Sequence, residues 1–151
     1  MLFFTTLLSC DEGNSNQCKY IEGLQLYMQK IHKEDLTEIN GDKIFYFLHL
    51  RSCEPCVDKN LSMLAEVSKH PNLKICLVGK IAVAQFEEKA KLVMEKHLPY
   101  LDIDSEIYSF ETGFSKPLLV HIKDGRCVTR IQVSDSEVDN AKKYISGVIN
   151  P

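Results

Sequence analysis

Two cysteines with two residues between them are the part of this sequence best suited to do chemistry. Cys53 and Cys56 stand at the boundary between an apolar run and a segment with helical spacing. A cysteine at a helix N-terminus is stabilised as a thiolate, because unpaired backbone N–H groups and the helix dipole favour negative charge there. A second cysteine one turn later can attack a mixed disulfide and release the product. The spacing therefore predicts thiol–disulfide exchange, with Cys53 as the nucleophile and Cys56 as the resolving thiol.

Residues inside and beside this motif should influence the reactivity of the pair. Glu54 lies between the cysteines and disfavours the Cys53 thiolate by like-charge repulsion, whereas Arg51 favours it. Pro55 suits the first turn of a helix, because its missing N–H would have no partner there. Since these charges oppose each other, we predict only that the pair is not strongly oxidising.

Zinc binding is the main chemical alternative for a Cys-x-x-Cys pair. A structural zinc site needs two further ligands, and the sequence has no second Cys-x-x-Cys and no His pair at the spacing of a zinc finger. We therefore predict neither a metal nor another cofactor. The scattered histidines are expected to be surface or strand residues: His32, His70, His97 and His121.

Three other cysteines are expected to serve structure rather than catalysis. Cys76 lies in the middle of an apolar run and should be a small core residue. Cys127 is assigned either to the core, which we favour, or to an exposed thiol. Cys18 has no assigned partner, and a bridge from Cys18 to Cys127 is left open as an alternative.

The pattern of apolar residues places the cysteine pair between a buried strand and a helix. The run from Lys43 to Leu50 is aromatic and branched and carries no charge after Lys43, which predicts a strand buried on both faces. Residues 99–114 have no clear period. The predicted order is helix 18–32, strand 43–50, helix 55–69, strand 73–78, a helix from 86 that ends before Pro99, strand 118–123, strand 126–133 and a final helix.

Turn and cap residues define the last third of the chain. Asp124 and Gly125 are typical of a two-residue hairpin turn between two strands. Ser134, with Glu137 three positions later, forms the pattern of a capping box. These signals predict a hairpin followed directly by a helix.

This order of elements, together with two motifs, resembles the thioredoxin superfamily over residues 35–150. The motifs are the Cys-x-Pro-Cys after a buried strand and Ser115-Lys116-Pro117 before the hairpin. The resemblance implies an α/β fold, a three-layer α/β/α sandwich whose central mixed sheet of four or five strands is flanked by about four helices. It also implies a cis Lys116–Pro117 bond that faces the cysteine pair.

The resemblance also implies where a substrate peptide would dock. Pro117 and Lys116 are implied to form the docking edge, together with Glu54 and Pro55 of the motif. Lys116 is implied to point at the cysteines, where its charge would favour a thiolate.

Two positions depart from the family pattern. Ser52 stands where a tryptophan usually precedes the first cysteine, and Phe47 stands where many members carry a buried acid. In the family this acid helps to deprotonate the buried thiol. His49 shares a strand face with Phe47 and is the candidate to tune the thiol pKa in its place.

The beginning of the chain resembles the leader of a bacterial lipoprotein. Residues 1–10 combine an apolar run with the lipobox-like sequence Leu-Leu-Ser-Cys, which ends at Cys10. The run is far shorter than the about 20 residues that span a bilayer. Residues 11–17 are polar and indicate a tether to a thioredoxin-like domain over 18–151. We predict a protein outside the cytoplasm, periplasmic or on the outer surface of a bacterium, anchored in the membrane by lipid at Cys10; the alternative is a plain apolar terminus.

Composition narrows the function classes. The net charge is −3 and no cluster of Lys and Arg is present, so no nucleic-acid partner is expected. A peroxiredoxin normally has Thr three residues before its reactive cysteine, where this chain has Leu50. We expect a thiol–disulfide oxidoreductase of the reductase or isomerase type, acting on cysteine-containing proteins outside the cytoplasm with an unidentified redox partner. The alternative is a binding module with the same fold and no turnover.

Overall fold

A computed structural model of the 151-residue chain describes residues 18–80 and 86–151. The predicted leader over residues 1–10, including Cys10, and the predicted tether over residues 11–17 lie outside the described residues. The elements below belong to the described part.

The described strands form one mixed sheet: β1 (Asp42–His49), β2 (Leu73–Val78), β3 (Tyr100–Asp102), β4 (Leu118–Lys123) and β5 (Arg126–Gln132). Their order across the sheet is β3-β2-β1-β4-β5. β1, β2 and β3 are parallel, whereas β4 runs antiparallel to both β1 and β5. The carboxyl end of β1 and the beginning of β4 therefore meet at the same edge of the sheet.

Helices cover both faces of this sheet. The α-helices are α1 (Ile21–His32), α2 (Glu54–Glu66), α3 (Glu87–His97) and α4 (Val138–Ile149), with short 3-10 turns at Leu36–Glu38, Glu106–Ser109 and Asp135–Glu137. α2, α3 and α4 pack on one face, and α1 packs on the other. The predicted α/β/α sandwich is confirmed, and the arrangement is compatible with a thioredoxin-like fold.

The central strand β1 belongs to both halves of the core. Ile44, Tyr46 and Leu48 pack on the face that α2, α3 and α4 cover, whereas Phe45 and Phe47 pack on the face of α1. All five side chains are at least 99% buried. A strand covered on both faces has to be apolar on both, which is why this run shows no alternation. The prediction of a doubly buried strand is confirmed.

The hairpin after β4 turns at the two predicted residues. Asp124 and Gly125 both have positive φ, 48° and 72°, as this turn requires. A Cβ atom at Gly125 would lie 2.3 Å from the carbonyl oxygen of Thr37, so the turn also needs a glycine for space. The capping box of Ser134 and Glu137 is present, although it caps a 3-10 turn that leads into α4.

The region without a clear period contains an edge strand and a 3-10 turn. β3 extends the sheet beside β2, and its three residues are too few for alternation to be visible in the sequence. Asp102 ends the strand and is buried. Its carboxylate accepts hydrogen bonds from the backbone N–H groups of Glu106 and Ile107 at 2.8 and 2.9 Å. An acid in this buried position therefore stabilises the turn that follows β3.

A disulfide joins Cys18 to Cys127, with their Cα atoms 6.1 Å apart. The expectation that Cys127 is a core thiol is wrong, because α1 approaches the sheet face beside β5 and brings Cys18 to it. Cys127 is half-buried and packs against the core of the α1 face. The bond closes a loop of 109 residues and so ties the first helix to the last strand.

This bond should contribute strongly to stability. Replacing both partners in Cys18→Ser/Cys127→Ser should lower the free energy of unfolding by about 2–4 kcal/mol, because a long loop is no longer closed in the unfolded chain. Urea unfolding without reductant measures the loss. The matched control, Cys53→Ser/Cys56→Ser, opens a loop of only three residues and should cost less. Equal losses in the two variants would contradict this account.

Candidate redox site

The cysteine pair lies at the beginning of α2, after the short loop that follows β1. Cys53 is the N-cap residue of α2, and its Sγ accepts a hydrogen bond from the backbone N–H of Cys56 at 3.3 Å. The two residues form a disulfide with Cα atoms 5.2 Å apart. Cys53 is exposed and Cys56 is half-buried. An incoming thiol or disulfide can therefore reach Cys53 first, as an exchange site requires.

The loop before the pair is closed by local hydrogen bonds. The carbonyl of His49 accepts from the backbone N–H of Ser52 at 3.4 Å and from its hydroxyl at 2.9 Å. The N–H of Leu50 donates to the carbonyl of Val78 at 2.9 Å and ties the loop to β2. Ser52 thus has a structural role in this loop.

A buried polar pair supports α2 from beneath. Asn60 is only 1% exposed, and its Nδ2 donates to the carbonyl of Cys56 at 2.7 Å. The hydroxyl of Tyr46 donates to Oδ1 of Asn60, and burial raises the pKa of Tyr46. Sequence reasoning missed both residues, although a polar residue one turn before Leu64 on an apolar helix stripe was a signal. Together they connect the central strand to the first turn of the reactive helix.

His49 faces the layer of α1, not the layer of α2. Its ring packs edge-on against Tyr108 and Phe114, with centroid distances of 5.7 and 6.5 Å. Burial and the guanidinium of Arg51 lower the pKa of His49, and Asp102 partly opposes them. The environment therefore favours the neutral form of the imidazole. Its predicted place on the same strand face as Phe47 is confirmed, since Phe47 also contacts Phe114.

The second motif lies at the same edge of the sheet. Pro117 is buried, and its carbonyl accepts from the N–H of Val133 at 2.7 Å. The next residue, Leu118, pairs with Phe47 near the end of β1, while Lys116 is exposed. Strand pairing thus brings Pro117 to the end of β1 where the reactive loop begins.

The predicted cis bond before Pro117 is wrong, because no peptide bond among the described residues is cis. The trans isomer of an X–Pro bond is favoured by about 0.5–1 kcal/mol, and a cis bond forms only where its surroundings select it. Here the bond is trans, and Pro117, just before β4, accepts a hydrogen bond from the N–H of Val133, just after β5.

The charged residues and the proline next to the cysteines lie on the surface around the pair. Arg51, Glu54 and Pro55 are all exposed. Glu54 and Pro55 line a surface cavity of about 310 Å³ together with Asp58 and Phe86. A second, apolar cavity of about 340 Å³ begins at Leu50 and is also lined by Leu77, Gly79, Lys80, Met94, Leu101 and Ile103. Both cavities adjoin the reactive loop or the first turn of α2.

An acidic residue from the far end of the chain completes the site. A carboxylate oxygen of Asp135 and the Sγ atoms of Cys53 and Cys56 lie within 4.8 Å of one another, the only such group within residues 18–80 and 86–151. Sequence reasoning missed Asp135, because only the fold brings it near. Sulfur atoms joined in a disulfide are not thiolate ligands, and the N-terminus of α2 disfavours a cation. The arrangement therefore suits control of thiol chemistry better than metal binding.

Cys76, the remaining cysteine of the part of the chain that the structure describes, is separate from this site. Cys76 is 1% exposed, and burial raises its pKa to about 12. Its Sγ lies 3.4 Å from the hydroxyl of Tyr27, which donates to Asp102 at 3.0 Å and contacts His32 at 2.9 Å. These groups form a buried polar cluster on the α1 face. The prediction that Cys76 is a core residue is confirmed.

The chain matches no model of a known protein family, and no curated protein matches it in sequence. The functional assignment therefore depends on the residues and geometry described above.

The site geometry predicts the titration of His49. NMR should show its imidazole titrating below the ordinary value of 6.5, because burial and Arg51 disfavour the charged form. Arg51→Gln should raise the midpoint, whereas Arg126→Gln, the same charge change on β5, should leave it unchanged. A wild-type midpoint at or above 6.5, or no response to Arg51→Gln, would contradict the assignment.

Proposed function

We propose that this chain is a thiol–disulfide oxidoreductase of the reductase or isomerase type that acts on disulfides of proteins outside the cytoplasm. Cys53 is the nucleophile and Cys56 the resolving thiol. The single observation that carries the proposal is the position of the pair: Cys53 is exposed at the N-cap of α2, and Cys56 is half-buried one turn inside. This geometry gives one accessible sulfur and one that attacks only after a mixed disulfide has formed.

The environment of the pair supports exchange rather than a structural staple. A disulfide across only three positions adds little to the stability of the chain compared with the Cys18–Cys127 bond. The first turn of α2 favours a thiolate at Cys53 through its dipole. The loop and helix on either side are fixed by hydrogen bonds, so the two sulfurs stay close when the bond opens.

A substrate peptide would dock on the edge formed by Pro117 and Lys116, with Glu54 and Pro55 on the other side of the pair. Pro117 lies at the sheet edge where the reactive loop begins, and Lys116, Glu54 and Pro55 are exposed. The two exposed charges, on Lys116 and Glu54, would then flank a peptide that brings its disulfide to Cys53.

The Cys18–Cys127 disulfide and the sequence that ends at Cys10 bear on the compartment. The Cys18–Cys127 disulfide closes a long loop, and stable disulfides are typical of proteins outside the reducing cytoplasm. No described helix is both long and apolar enough to cross a membrane. The lipobox-like sequence ending at Cys10 supports attachment through lipid, with the domain on the periplasmic or outer side.

A binding module without turnover is the second candidate. It is favoured by the apolar Phe47, which is fully buried where many family members carry an acid. Without an acid at that position, the resolving thiol lacks the usual route for losing its proton. A module of this kind would keep the disulfide closed and dock a partner on the same edge.

Turnover distinguishes the two candidates. The full chain should accelerate the reduction of insulin disulfides by dithiothreitol, Cys53→Ser should abolish the acceleration, and Cys56→Ser should trap a mixed disulfide. Cys76→Ala removes a buried thiol on the other face of the sheet and should keep the rate. A wild-type rate equal to that of Cys53→Ser would favour the binding module.

Lipid attachment makes a separate prediction. In a bacterium that expresses the full chain, the wild-type protein should enter the detergent phase of Triton X-114, because acyl chains contribute about 0.8 kcal/mol per buried methylene. Cys10→Ser should enter the aqueous phase, and Cys18→Ser should behave like the wild type. A Cys10→Ser protein that stays in the detergent phase would contradict an anchor at this residue.

A further inference from the structure

The carboxylate of Asp135 has a chemical role that the motif alone does not predict. One of its oxygens lies within 4.8 Å of both sulfurs of the pair. We propose that Asp135 disfavours the thiolate at Cys53 and Cys56 and so shifts the pair towards its disulfide form, which makes the reduced pair a better donor of electrons. The inference deepens the proposed oxidoreductase function and rests on it.

The backbone of Asp135 is held in place by its neighbours. The ammonium of Lys59 on α2 donates to the carbonyl of Asp135, so this turn is fastened to the reactive helix. Ser134 and Glu137 satisfy each other in the capping box that shapes the turn. Asp135 itself is exposed. The contact with Lys59 uses the backbone carbonyl of Asp135, while its carboxylate lies near the sulfurs.

The exchange reaction shows which state this charge affects. The Cys53 thiolate attacks one sulfur of a substrate disulfide, forms a new S–S bond, and the other substrate sulfur leaves and takes up a proton. Cys56 then gives its proton to solvent and attacks Cys53, so that the Cys53–Cys56 bond forms and the second substrate sulfur leaves as a thiol after protonation. The substrate gains two electrons and the pair loses two.

At a pH above the thiol pKa the reduced pair carries a thiolate charge, whereas the disulfide carries none at any pH. A carboxylate beside the sulfurs therefore destabilises the reduced form and leaves the oxidised form unaffected. Stabilising the reduced form is what makes a disulfide strongly oxidising, and Asp135 has the opposite effect. This charge acts against the dipole of α2.

Two other acids on the elements that adjoin the pair have partners of their own. Asp58 on α2 is paired with Lys89 at 2.6 Å, and Glu137 is held in the capping box. None of these acids forms a group with both sulfurs among the described residues, whereas Asp135 does. The charged residues on the elements that adjoin the pair are Arg51 in the loop, Glu54, Asp58 and Lys59 on α2, Lys116 before β4, and Asp135 and Glu137 after β5.

The test compares Asp135→Asn with Asp139→Asn, which removes the same charge from an exposed position on α4. Both are made in the full chain carrying Cys10→Ser. With Cys56→Ser added, the pH dependence of alkylation at Cys53, identified by mass spectrometry, gives the pKa of its thiol. With the pair intact, the ratio of dithiol to disulfide in a fixed glutathione buffer, held at a pH above the alkylation midpoint so that the thiolate is populated, gives the relative stability of the two forms.

Asp135→Asn should lower the alkylation midpoint and raise the dithiol-to-disulfide ratio about three- to tenfold at low salt, as expected for removing one exposed charge at this distance. Both effects should shrink in 1 M salt, and Asp139→Asn should show neither. Equal behaviour of the two variants, or a shift in the opposite direction, would overturn the inference. If the wild-type pair does not exchange with glutathione, the proposed function fails, while the alkylation midpoint still tests the effect of Asp135.

Discussion

The structure depends on the burial of β1 on both faces at the centre of the sheet. Apolar side chains on each face anchor this strand between two helical layers, so the point where it ends is fixed. The reactive loop begins at that point, and parallel pairing with β2 and antiparallel pairing with β4 bring neighbouring segments to the same edge. A strand exposed on one face would hold the beginning of α2 less firmly. The position of the cysteine pair is therefore a consequence of core packing.

Opposing electrostatic effects meet at the N-terminus of α2. The helix dipole favours a thiolate at Cys53, while the carboxylate of Asp135 opposes it. The same site has Asn60 and Tyr46 beneath it, where hydrogen bonds connect the carbonyl of Cys56 to the central strand. Asn60 and Tyr46 hold the first turn of α2 in place, and Asp135 changes the charge near the sulfurs. The thiol pKa of the pair can therefore be changed at Asp135 without changing the fold.

The α/β architecture and the place of the cysteine pair could be predicted from the sequence, because both depend on local patterns: apolar runs, turn residues and the spacing within one helical turn. Long-range partners could not. The Asp135 carboxylate near the pair and the Cys18–Cys127 bond each bring together residues that are far apart in the sequence. Asn60 is buried although polar positions of a helical pattern normally face solvent, so the sequence does not distinguish it. The isomer of the bond before Pro117 depends on its three-dimensional surroundings, which the sequence alone does not give.

The central claim is that Cys53 and Cys56 form a reversible two-electron couple in the folded protein. Equilibration of the full chain carrying Cys10→Ser with glutathione buffers of graded ratio, followed by acid quenching and mass spectrometry of the alkylated pair, tests it most directly. The account predicts one smooth transition that involves both cysteines and disappears in Cys53→Ser, with Cys76 unmodified throughout. A pair that stays oxidised across the whole range, or that opens only when the protein unfolds, would contradict the account and leave the bond as a structural staple.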